Sequence, residues 1–427
     1  MNNENVIEVL EGWNSWKRDQ ETGIYRNAYL ERMESLSRTE QIVAITGVRR
    51  SGKSTLMRQF IRRRVEKGEN RTDFLYVNFE EPRFAGMLSL EFLQQIYEAY
   101  VEIVRPEGKP YILLDEVQNV PAWERFARGL HEKKEAYVIV SGSVSKLLSR
   151  EIGTLLTGRW VELKVYPLSF HEFLLFRGVK AESRMDVLSQ KTRIKQMLRE
   201  YLEFGGFPLV ALKDEKEEIL RRYLDDIIER DIAGRHNIRG TEKLRKLIKY
   251  YMTNFSSHIS YRRIEAFLDL PLNTIQRFSA HMAEAYLIFL VPKFSYSLKE
   301  QEVNPKIVYG IDSGLINIAG FRFRENIGKL YENTVFISLM RKGKEVYYHK
   351  NRKECDFVIK EGQKVTQVIQ VSYEIKDNKE REIGGLLEAM ESHKLKEGII
   401  ITEDKDSEEI IEGKKIVYKP LWKWLLE

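Results

Sequence analysis

The sequence predicts an α/β fold whose first part is a parallel sheet covered by helices on both faces. Short apolar strands alternate with helical segments between residues 41 and 141. A glycine-rich loop, Gly47–Thr55, lies directly between a strand and a helix, and a later strand ends in Asp115 and Glu116. Parallel strands bring such loops together at the carboxyl edge of the sheet. We therefore expect a ligand site at that edge.

The loop Gly47–Thr55 matches the pattern G-x-x-x-x-G-K-S/T of a phosphate-binding loop. Its glycines allow backbone N–H groups to surround phosphate, and the following helix adds its positive N-terminus. Lys53 is expected to reach the β- and γ-phosphates, and Ser54 to bind Mg²⁺. The residues expected to contact the nucleotide are Gly47, Arg50, Ser51, Gly52, Lys53, Ser54 and Thr55. The loop predicts ATP and Mg²⁺ as cofactors.

The strand Pro110–Asp115, followed by Glu116, has the Walker B pattern of an apolar strand ending in acids. Asp115 is expected to lie behind the Mg²⁺ ion, and Glu116 to polarise the attacking water. An acidic pair alone is typical of a solvated strand end. Because a phosphate-binding loop precedes it, we interpret the pair as catalytic, and the sequence predicts an ATPase.

Composition limits the remaining possibilities. The chain has 427 residues, which suffices for several domains, and 43% of them are hydrophobic, as in globular proteins. A single cysteine, Cys355, excludes an intrachain disulfide framework and a cysteine-based zinc site. The seven histidines form no HExxH or other clustered motif, so no transition-metal site is expected. Without a signal pattern at the N-terminus or a run of ~18 apolar residues, we expect a cytoplasmic protein with no membrane partner.

Positive charge is concentrated in one segment. From Arg235 to Arg263 there are eight Lys or Arg residues and one acid, whereas the net charge of the whole chain is +6. Such a stretch is typical of a surface that binds a phosphate backbone. The residues expected to contact DNA here are Lys243, Arg245, Lys246 and Lys249. A solvated helix face is the alternative interpretation.

The elements of the first half follow a helical segment over residues 1–40. They are strand Gln41–Thr46, helix Ser54–Glu66, strand Asp73–Phe79, helix Ser89–Val104, strand Pro110–Asp115, helix Ala122–Lys134, strand Ala136–Ser141 and strand Trp160–Val165. Residues 185–232 are helical by period. Their interruption, Phe204–Leu209, contains two glycines and a proline that end one helix and begin the next.

Residues 240–292 predict a helix–turn–helix, with helices Ser260–Leu268 and Asn273–Tyr286. Two strands, Leu287–Val291 and Lys306–Tyr309, then complete a winged helix. Its second helix buries one apolar face and leaves Gln276 and Arg277 outside, where they can reach a major groove. DNA is therefore an expected partner, although many winged helices mediate only protein contacts.

Residues 321–427 show the order α-β-β-β-α-β. The first helix contains Glu332, and the second strand, Glu354–Ile359, contains Asp356. The third strand, Gln367–Ser372, contains Gln370.

These motifs together resemble prokaryotic AAA-type ATPases that carry a C-terminal, nuclease-like domain of unknown function. The resemblance covers nearly the whole chain. It rests on Gly47–Thr55, Leu113–Glu116, Ser141–Ser143, Leu156–Arg159, Tyr166–Phe170, Gly205–Pro208 and Glu354–Phe357. It implies an additional-strand ATPase core over 1–184, a helical lid over 185–234, a winged helix over 235–320 and a restriction-endonuclease-like domain over 321–427. It also implies a homo-oligomer, with a ring as one form.

The resemblance assigns further roles in the ATPase part. A polar residue between the two Walker motifs senses the γ-phosphate. Ser143 is the preferred candidate and Ser141 the other, and an ordinary Gly-Ser turn is the alternative interpretation. Arg159 is the candidate finger for a neighbouring subunit's nucleotide, and a plain surface arginine is the alternative. Gly206 and Pro208 are expected on the adenine side, where an ordinary helix–helix loop is the competing interpretation.

In the C-terminal domain the resemblance maps a nuclease site onto Glu332, Asp356, Gln370 and Ser372. Ser372 stands where such nucleases have a lysine, so we expect a degenerate site. Lys350, Lys353 or Lys360 could substitute for that lysine from nearby.

The favoured function is an Mg²⁺-dependent ATPase whose nucleotide state controls DNA binding or remodelling. The alternatives are a nucleotide-gated signalling switch that binds a protein, and an ATP-regulated DNA nuclease.

Overall fold

The computed structural model describes residues 1–142, 156, 158–320, 326–374 and 379–427. They form two compact units, Met1–Val165 and Tyr166–Glu427. No helix in these ranges has the length and hydrophobicity needed to cross a bilayer. The division into four domains stays a prediction.

The first unit contains five numbered helices and five strands among its described residues. The helices are α1 Asn3–Glu11, α2 Asn27–Ser37, α3 Lys53–Glu66, α4 Leu90–Ala99 and α5 Trp123–Glu132. The strands are β1 Ile42–Thr46, β2 Phe74–Asn78, β3 Tyr111–Asp115, β4 Tyr137–Ser141 and β5 Trp160–Lys164. Helix α4 continues as a π-helical turn, Tyr100–Val104.

All five strands are parallel, in the order β2-β3-β4-β1-β5. Strand β4 lies between β1, which leads into the glycine-rich loop, and β3, which ends in the two acids. This confirms the predicted α/β core with an inserted strand. The alternation along β1 explains why both faces are covered, because Ile42 and Ala44 pack in one apolar cluster and Val43 and Ile45 in the other.

The segment between α1 and α2 covers the β2 edge of the sheet. The side chain of Asn14 accepts from the N–H of Tyr76 at 2.7 Å and donates to its carbonyl at 2.9 Å. Trp16 Nε1 donates to the carbonyl of Phe74 at 2.7 Å. These contacts satisfy backbone groups that an exposed edge strand would offer to another chain.

The second unit begins with a helical region, as predicted. Its helices are α6 Phe170–Phe176, α7 Arg184–Ser189, α8 Lys191–Phe204, α9 Pro208–Leu212 and α10 Lys216–Asp226, followed by a π-helical stretch, Ile227–Gly234. Helix α8 ends at Gly205, whose φ is 76°, and Pro208 occupies the first position of α9.

A small antiparallel sheet with five helices comes next in the described chain. The elements are α11 Glu242–Thr253, β6 Ser257–Ile259, α12 Tyr261–Leu268, α13 Leu272–Glu284, β7 Ile288–Val291, α14 Leu298–Val303, β8 Lys306–Gly310 and α15 Ser313–Ala319. The strand order is β6-β8-β7. Helix α13 buries Ile275, Phe278 and Met282, as its period predicts.

The last part of the chain is built on a six-stranded sheet in the order β13-β14-β12-β11-β10-β9. Its elements are α16 Ile327–Arg341, β9 Glu345–Lys350, β10 Glu354–Glu361, β11 Lys364–Val371, α17 Lys379–Ser392, β12 Glu397–Thr402, β13 Ser407–Ile411, β14 Lys414–Pro420 and α18 Leu421–Trp424. The predicted order α-β-β-β-α-β is confirmed. Strands β13 and β14 and helix α18 were not predicted from the sequence.

Candidate nucleotide-binding site

The glycine-rich loop has a backbone that only glycine adopts readily at two positions. Gly47 has φ 137° and Gly52 has φ 99°, both in the left-handed range. A Cβ atom at Gly47 would lie 2.1 Å from the carbonyl oxygen of Val165. Gly52 directly precedes the first residue of α3, Lys53. The loop thus leads from β1 into the N-terminus of a 14-residue helix, where backbone N–H groups lack helical partners.

Lys53 lies inside the loop, with a side chain that is almost fully buried. Its Nζ donates to the carbonyl of Gly47 at 3.0 Å and to that of Val48 at 3.3 Å. The hydroxyl of Ser51 is buried and has no hydrogen-bond partner within the described chain. A buried ammonium and a buried unpaired hydroxyl in one loop are groups that an anionic ligand satisfies.

Asp115 is fully buried at the end of β3 and accepts hydrogen bonds from two hydroxyl groups. Tyr76 on β2 donates to Oδ2 at 2.6 Å, and Ser141 on β4 donates to Oδ1. Desolvation raises the pKa of Tyr76 well above its ordinary value, so the phenol remains a donor. The neighbouring strands therefore fix the carboxylate from both sides.

Glu116 follows in a left-handed conformation, with φ 52°. Its N–H donates to the hydroxyl of Ser141 at 3.3 Å, and its carboxylate accepts from Gln118 Nε2 at 2.5 Å. Ser141 thus links the two acids. Ser143, the preferred sensor residue, lies outside the described residues. Ser141, the other candidate, lies at the acids.

The residues fit a nucleotide with Mg²⁺. Ser54 in the first turn of α3 and Asp115 at the end of β3 supply the oxygen ligands that Mg²⁺ prefers. Thr55 is half-buried beside Ser54, whereas Arg50 is exposed and has φ 68°.

Arg26 is a residue at this site that the sequence analysis missed. Its guanidinium is buried, donates from Nη1 to the carbonyl of Ser51 at 2.9 Å and lies over the ring of Tyr29 at 4.4 Å. Gln59 of α3 joins the same contact, because it accepts from the N–H of Arg26 and donates to the carbonyl of Ile24. The segment before α2 therefore holds both the loop and the helix after it.

Arg159, the candidate finger, is about one-third exposed and forms an ion pair with Glu132 of the same chain at 3.2 Å. Its role toward a neighbouring subunit stays a prediction.

Gly206 and Pro208 lie in the second unit. Pro208 begins α9, and Gly206 makes two hydrogen bonds through its backbone. The N–H of Gly206 donates to Asp312 at 2.7 Å, and its carbonyl accepts from the N–H of Leu168 at 2.6 Å. A Cβ atom at Gly206 would lie 2.5 Å from the carbonyl oxygen of Leu168. Burial raises the pKa of Asp312 to about 6. The proposed adenine contact of Gly206 and Pro208 stays a prediction.

The basic residues of α11 are exposed but not equivalent. Arg245 forms ion pairs with Asp225 and Glu229, both at 2.7 Å. Its charge is therefore largely compensated within the chain. Lys243, Lys246 and Lys249 are exposed on the same helix, and Gln276 and Arg277 are exposed on α13.

A cavity of about 350 Å³ is lined by two of the four predicted nuclease residues, Asp356 and Gln370. Its lining residues are Lys350, Arg352, Lys353, Glu354, Asp356, Gln370, Arg381 and Glu382. Lys360 instead pairs with Glu345 at 2.9 Å.

Two acids of the predicted nuclease site, Asp356 at the cavity and Glu332, which is not among its lining residues, are held by protein donors. Asp356 accepts from the N–H of Val371 at 2.7 Å, and Glu332 accepts from the hydroxyl of Tyr309 at 2.6 Å. Desolvation raises the pKa of Asp356 to about 8 and that of Glu332 well above its ordinary range. Ser372 donates to the carbonyl of Glu374 at 3.2 Å.

Family profiles match three successive parts of the chain. Residues 39–174 match an AAA domain. Residues 195–325 and 327–424 match two domains of unknown function, DUF8612 and DUF4143.

Solved structures similar to this chain include a Walker-type ATPase of Pyrococcus abyssi, at 12% identity and a TM-score of 0.42, covering 69% of this chain and 95% of that one. Another is Cdc6p of Pyrobaculum aerophilum, at 13% identity and a TM-score of 0.29, covering 66% and 90%.

Two relatives align over most of their length. An uncharacterized protein of Methanocaldococcus jannaschii is 34% identical over 406 residues, covering 90% of this chain and 88% of the relative. An uncharacterized protein of Haemophilus influenzae is 31% identical over 412 residues, covering 95% and 99%. Residues 39–174 of the chain form an AAA-type P-loop ATPase domain, and the chain belongs to the same family as these two uncharacterized proteins.

Proposed function

We propose that the protein hydrolyses ATP at the site formed by the loop Gly47–Thr55, Asp115 and Glu116. One observation carries the proposal: strands β1 and β3 flank β4 in a parallel sheet, so the loop and the two acids meet at one edge. The hydroxyl of Ser141, at the end of β4, donates to the carboxylate of Asp115 and accepts from the backbone N–H of Glu116.

In this proposal the residues of the site have distinct roles. The loop N–H groups and the N-terminus of α3 bind the phosphates, and Lys53 offsets their charge. Glu116, oriented by Gln118, accepts a proton from the attacking water. Bound Mg²⁺, held by Ser54 and Asp115, would neutralise charge on the phosphate oxygens.

Lys53→Ala tests the nucleotide part of the proposal. We expect it to lose binding of a fluorescent ATP analogue, because the substitution removes the buried ammonium that would offset the charge of the phosphates. Lys133→Ala removes an exposed lysine of the same unit and should bind as the natural protein does. Equal binding by Lys53→Ala would contradict the assignment of the loop.

We further propose that the ATP state controls DNA binding by a winged helix over residues 235–320. The order α11-β6-α12-α13-β7-α14-β8, with a three-stranded antiparallel sheet, supports this assignment. The exposed lysines of α11, with Gln276 and Arg277, would contact DNA. ATP turnover measured with and without duplex, single-stranded and branched DNA tests the coupling, and turnover that is unchanged by all three would favour a protein partner instead.

The C-terminal domain is proposed to be a degenerate nuclease that serves DNA docking or subunit contact. Ser372 lacks the charge that stabilises a phosphorane, and Gln370 adds none to a metal site. Lys350 and Lys353 line the cavity, so nuclease activity with one of them in place of the missing lysine is the alternative that an experiment must test. Cleavage of labelled DNA with Mg²⁺ or Mn²⁺ that disappears in Asp356→Ala would show that one of them has replaced the missing lysine.

Arg159 is proposed to complete the ATP site of a neighbouring copy in a homo-oligomer. Arg159→Ala should then be inactive alone and regain turnover when mixed with Lys53→Ala, because each variant supplies what the other lacks. Full activity of Arg159→Ala alone would reject this role.

A further inference from the structure

A large aromatic side chain is exposed on the second unit. Phe267, in the last turn of α12, is 73% exposed, although burial of a phenylalanine normally stabilises the folded state. Its ring lies 5.6 Å from that of Tyr250 on α11, and the two planes are tilted by 50°. Helix α12 is instead anchored in the core through Ile264, which is fully buried. Most of the Phe267 ring is therefore free to contact a ligand.

Positive side chains flank this aromatic pair on both helices. Lys246 lies one turn before Tyr250 on α11, and Arg263 lies one turn before Phe267 on α12. Since side chains four residues apart on a helix are neighbours, the four residues form one strip, which we call the α11–α12 strip. Both cations are exposed, and neither forms an ion pair with an acid of the described chain. The α11–α12 strip thus presents two uncompensated positive charges around an accessible ring.

An unpaired nucleotide complements both parts of this strip. Stacking of a nucleobase on an aromatic side chain raises affinity by roughly 5- to 150-fold per base. The phosphates on either side of that base carry the negative charges that Lys and Arg bind. In a duplex the bases are stacked on their neighbours within the helix, so a ring at the protein surface cannot reach their faces. The α11–α12 strip therefore favours a strand with unpaired bases over a continuous duplex.

We propose that the α11–α12 strip binds an unpaired base of DNA, in a single strand or at a branch. Phe267 stacks on the base, Tyr250 supports its ring, and Lys246 and Arg263 contact the adjacent phosphates. The inference rests on the DNA binding proposed above, and it adds the form of DNA that is bound. The proposed groove contacts lie on α13, a different helix, so duplex binding can be measured separately.

Binding of the full chain to fluorescently labelled DNA, with and without a non-hydrolysable ATP analogue, tests the proposal. Phe267→Ala should lower the affinity for a single strand by about fivefold or more and leave the affinity for a blunt duplex within about twofold of that of the natural protein. Phe267→Trp, which can still stack, should keep single-strand binding. Ile410→Ala removes a similarly exposed apolar side chain from β13 and should bind both DNAs as the natural protein does.

The charged part of the strip has its own readout. Arg263→Gln should reduce the slope of log K against log salt for a single strand by about 0.7, because one phosphate contact is lost. Arg222→Gln, on α10, is the control because Arg222 is paired with Glu218 at 2.6 Å. Unchanged single-strand affinity in Phe267→Ala, or an equal loss of duplex affinity, would overturn the proposal. Binding of the natural protein to no DNA at all would overturn the proposed DNA binding as well, and tighter binding of the same strand as RNA would overturn the assignment to DNA.

Discussion

The hydroxyl of Tyr76 donates a 2.6 Å hydrogen bond to Oδ2 of Asp115, from the strand next to the one that Asp115 ends. With Ser141 on the other side, Tyr76 fixes the acid that we assign to Mg²⁺. The acids of the proposed catalytic edge are thus positioned by residues of three adjacent strands.

Tyr76→Phe is expected to raise the Mg²⁺ concentration for half-maximal ATP turnover by about tenfold or more, as is typical when a partner of a metal ligand is lost. The ring and its packing remain, so turnover at saturating Mg²⁺ should fall much less. Tyr97→Phe, a hydroxyl deletion on α4, is the matched control. An unchanged Mg²⁺ dependence in Tyr76→Phe would show that the phenol does not position Asp115.

Arg26→Met is expected to raise the KM for ATP by roughly tenfold, because a charge-assisted hydrogen bond to the carbonyl of Ser51 is worth about 1.5–3 kcal/mol. Methionine keeps part of the apolar stem, so the packing loss is small. The exposed Arg32→Met, on α2, should leave the KM unaltered. If both variants give the same KM, Arg26 has no part in shaping the loop.

The buried carboxyl group of Asp312 is expected to make the stability of the folded protein depend on pH. Burial raises the pKa of Asp312 to about 6, against an ordinary value of 3.8. The folded state therefore holds a proton that the unfolded state releases, and this contribution is lost as the pH rises from about 4 to about 6. Its full size is on the order of 3 kcal/mol.

Asp312→Asn should accordingly flatten the dependence of the Tm on pH between 4 and 6. It should also lower the Tm at acidic pH, because an amide cannot keep both the contacts to α15 and the bond from Gly206. Asp269→Asn, at an exposed position, should follow the natural protein. A Tm profile that keeps its slope in Asp312→Asn would refute this assignment.

Replacing Lys243, Lys246 and Lys249 with Gln should weaken duplex binding and reduce the slope of log K against log salt by about 0.9 per lost contact. Arg245→Gln is the matched control on the same helix. Since Arg245 is paired with Asp225 and Glu229, we expect a nearly unchanged slope. A larger change for Arg245→Gln than for the three lysines would mean that DNA displaces those acids.

Local sequence patterns were sufficient to predict much of the fold. The strand before Gly47 and the strand ending in Asp115 were predicted to within a residue, because buried parallel strands are continuous apolar runs. The contact of Arg26 with Ser51 could not be predicted, since it joins segments that only the tertiary fold brings together. The ion pairs of Arg245 with Asp225 and Glu229 could not be predicted for the same reason. Because of these pairs, we assign DNA contact to the lysines of α11 rather than to Arg245.

The central claim is ATP hydrolysis with Glu116 as the base, and steady-state phosphate release by Glu116→Gln tests it most directly. The amide can still accept a hydrogen bond but cannot take the proton from water. We predict that this variant binds ATP with the affinity of the natural protein and loses at least 100-fold in turnover. Turnover equal to that of the natural protein would contradict the account.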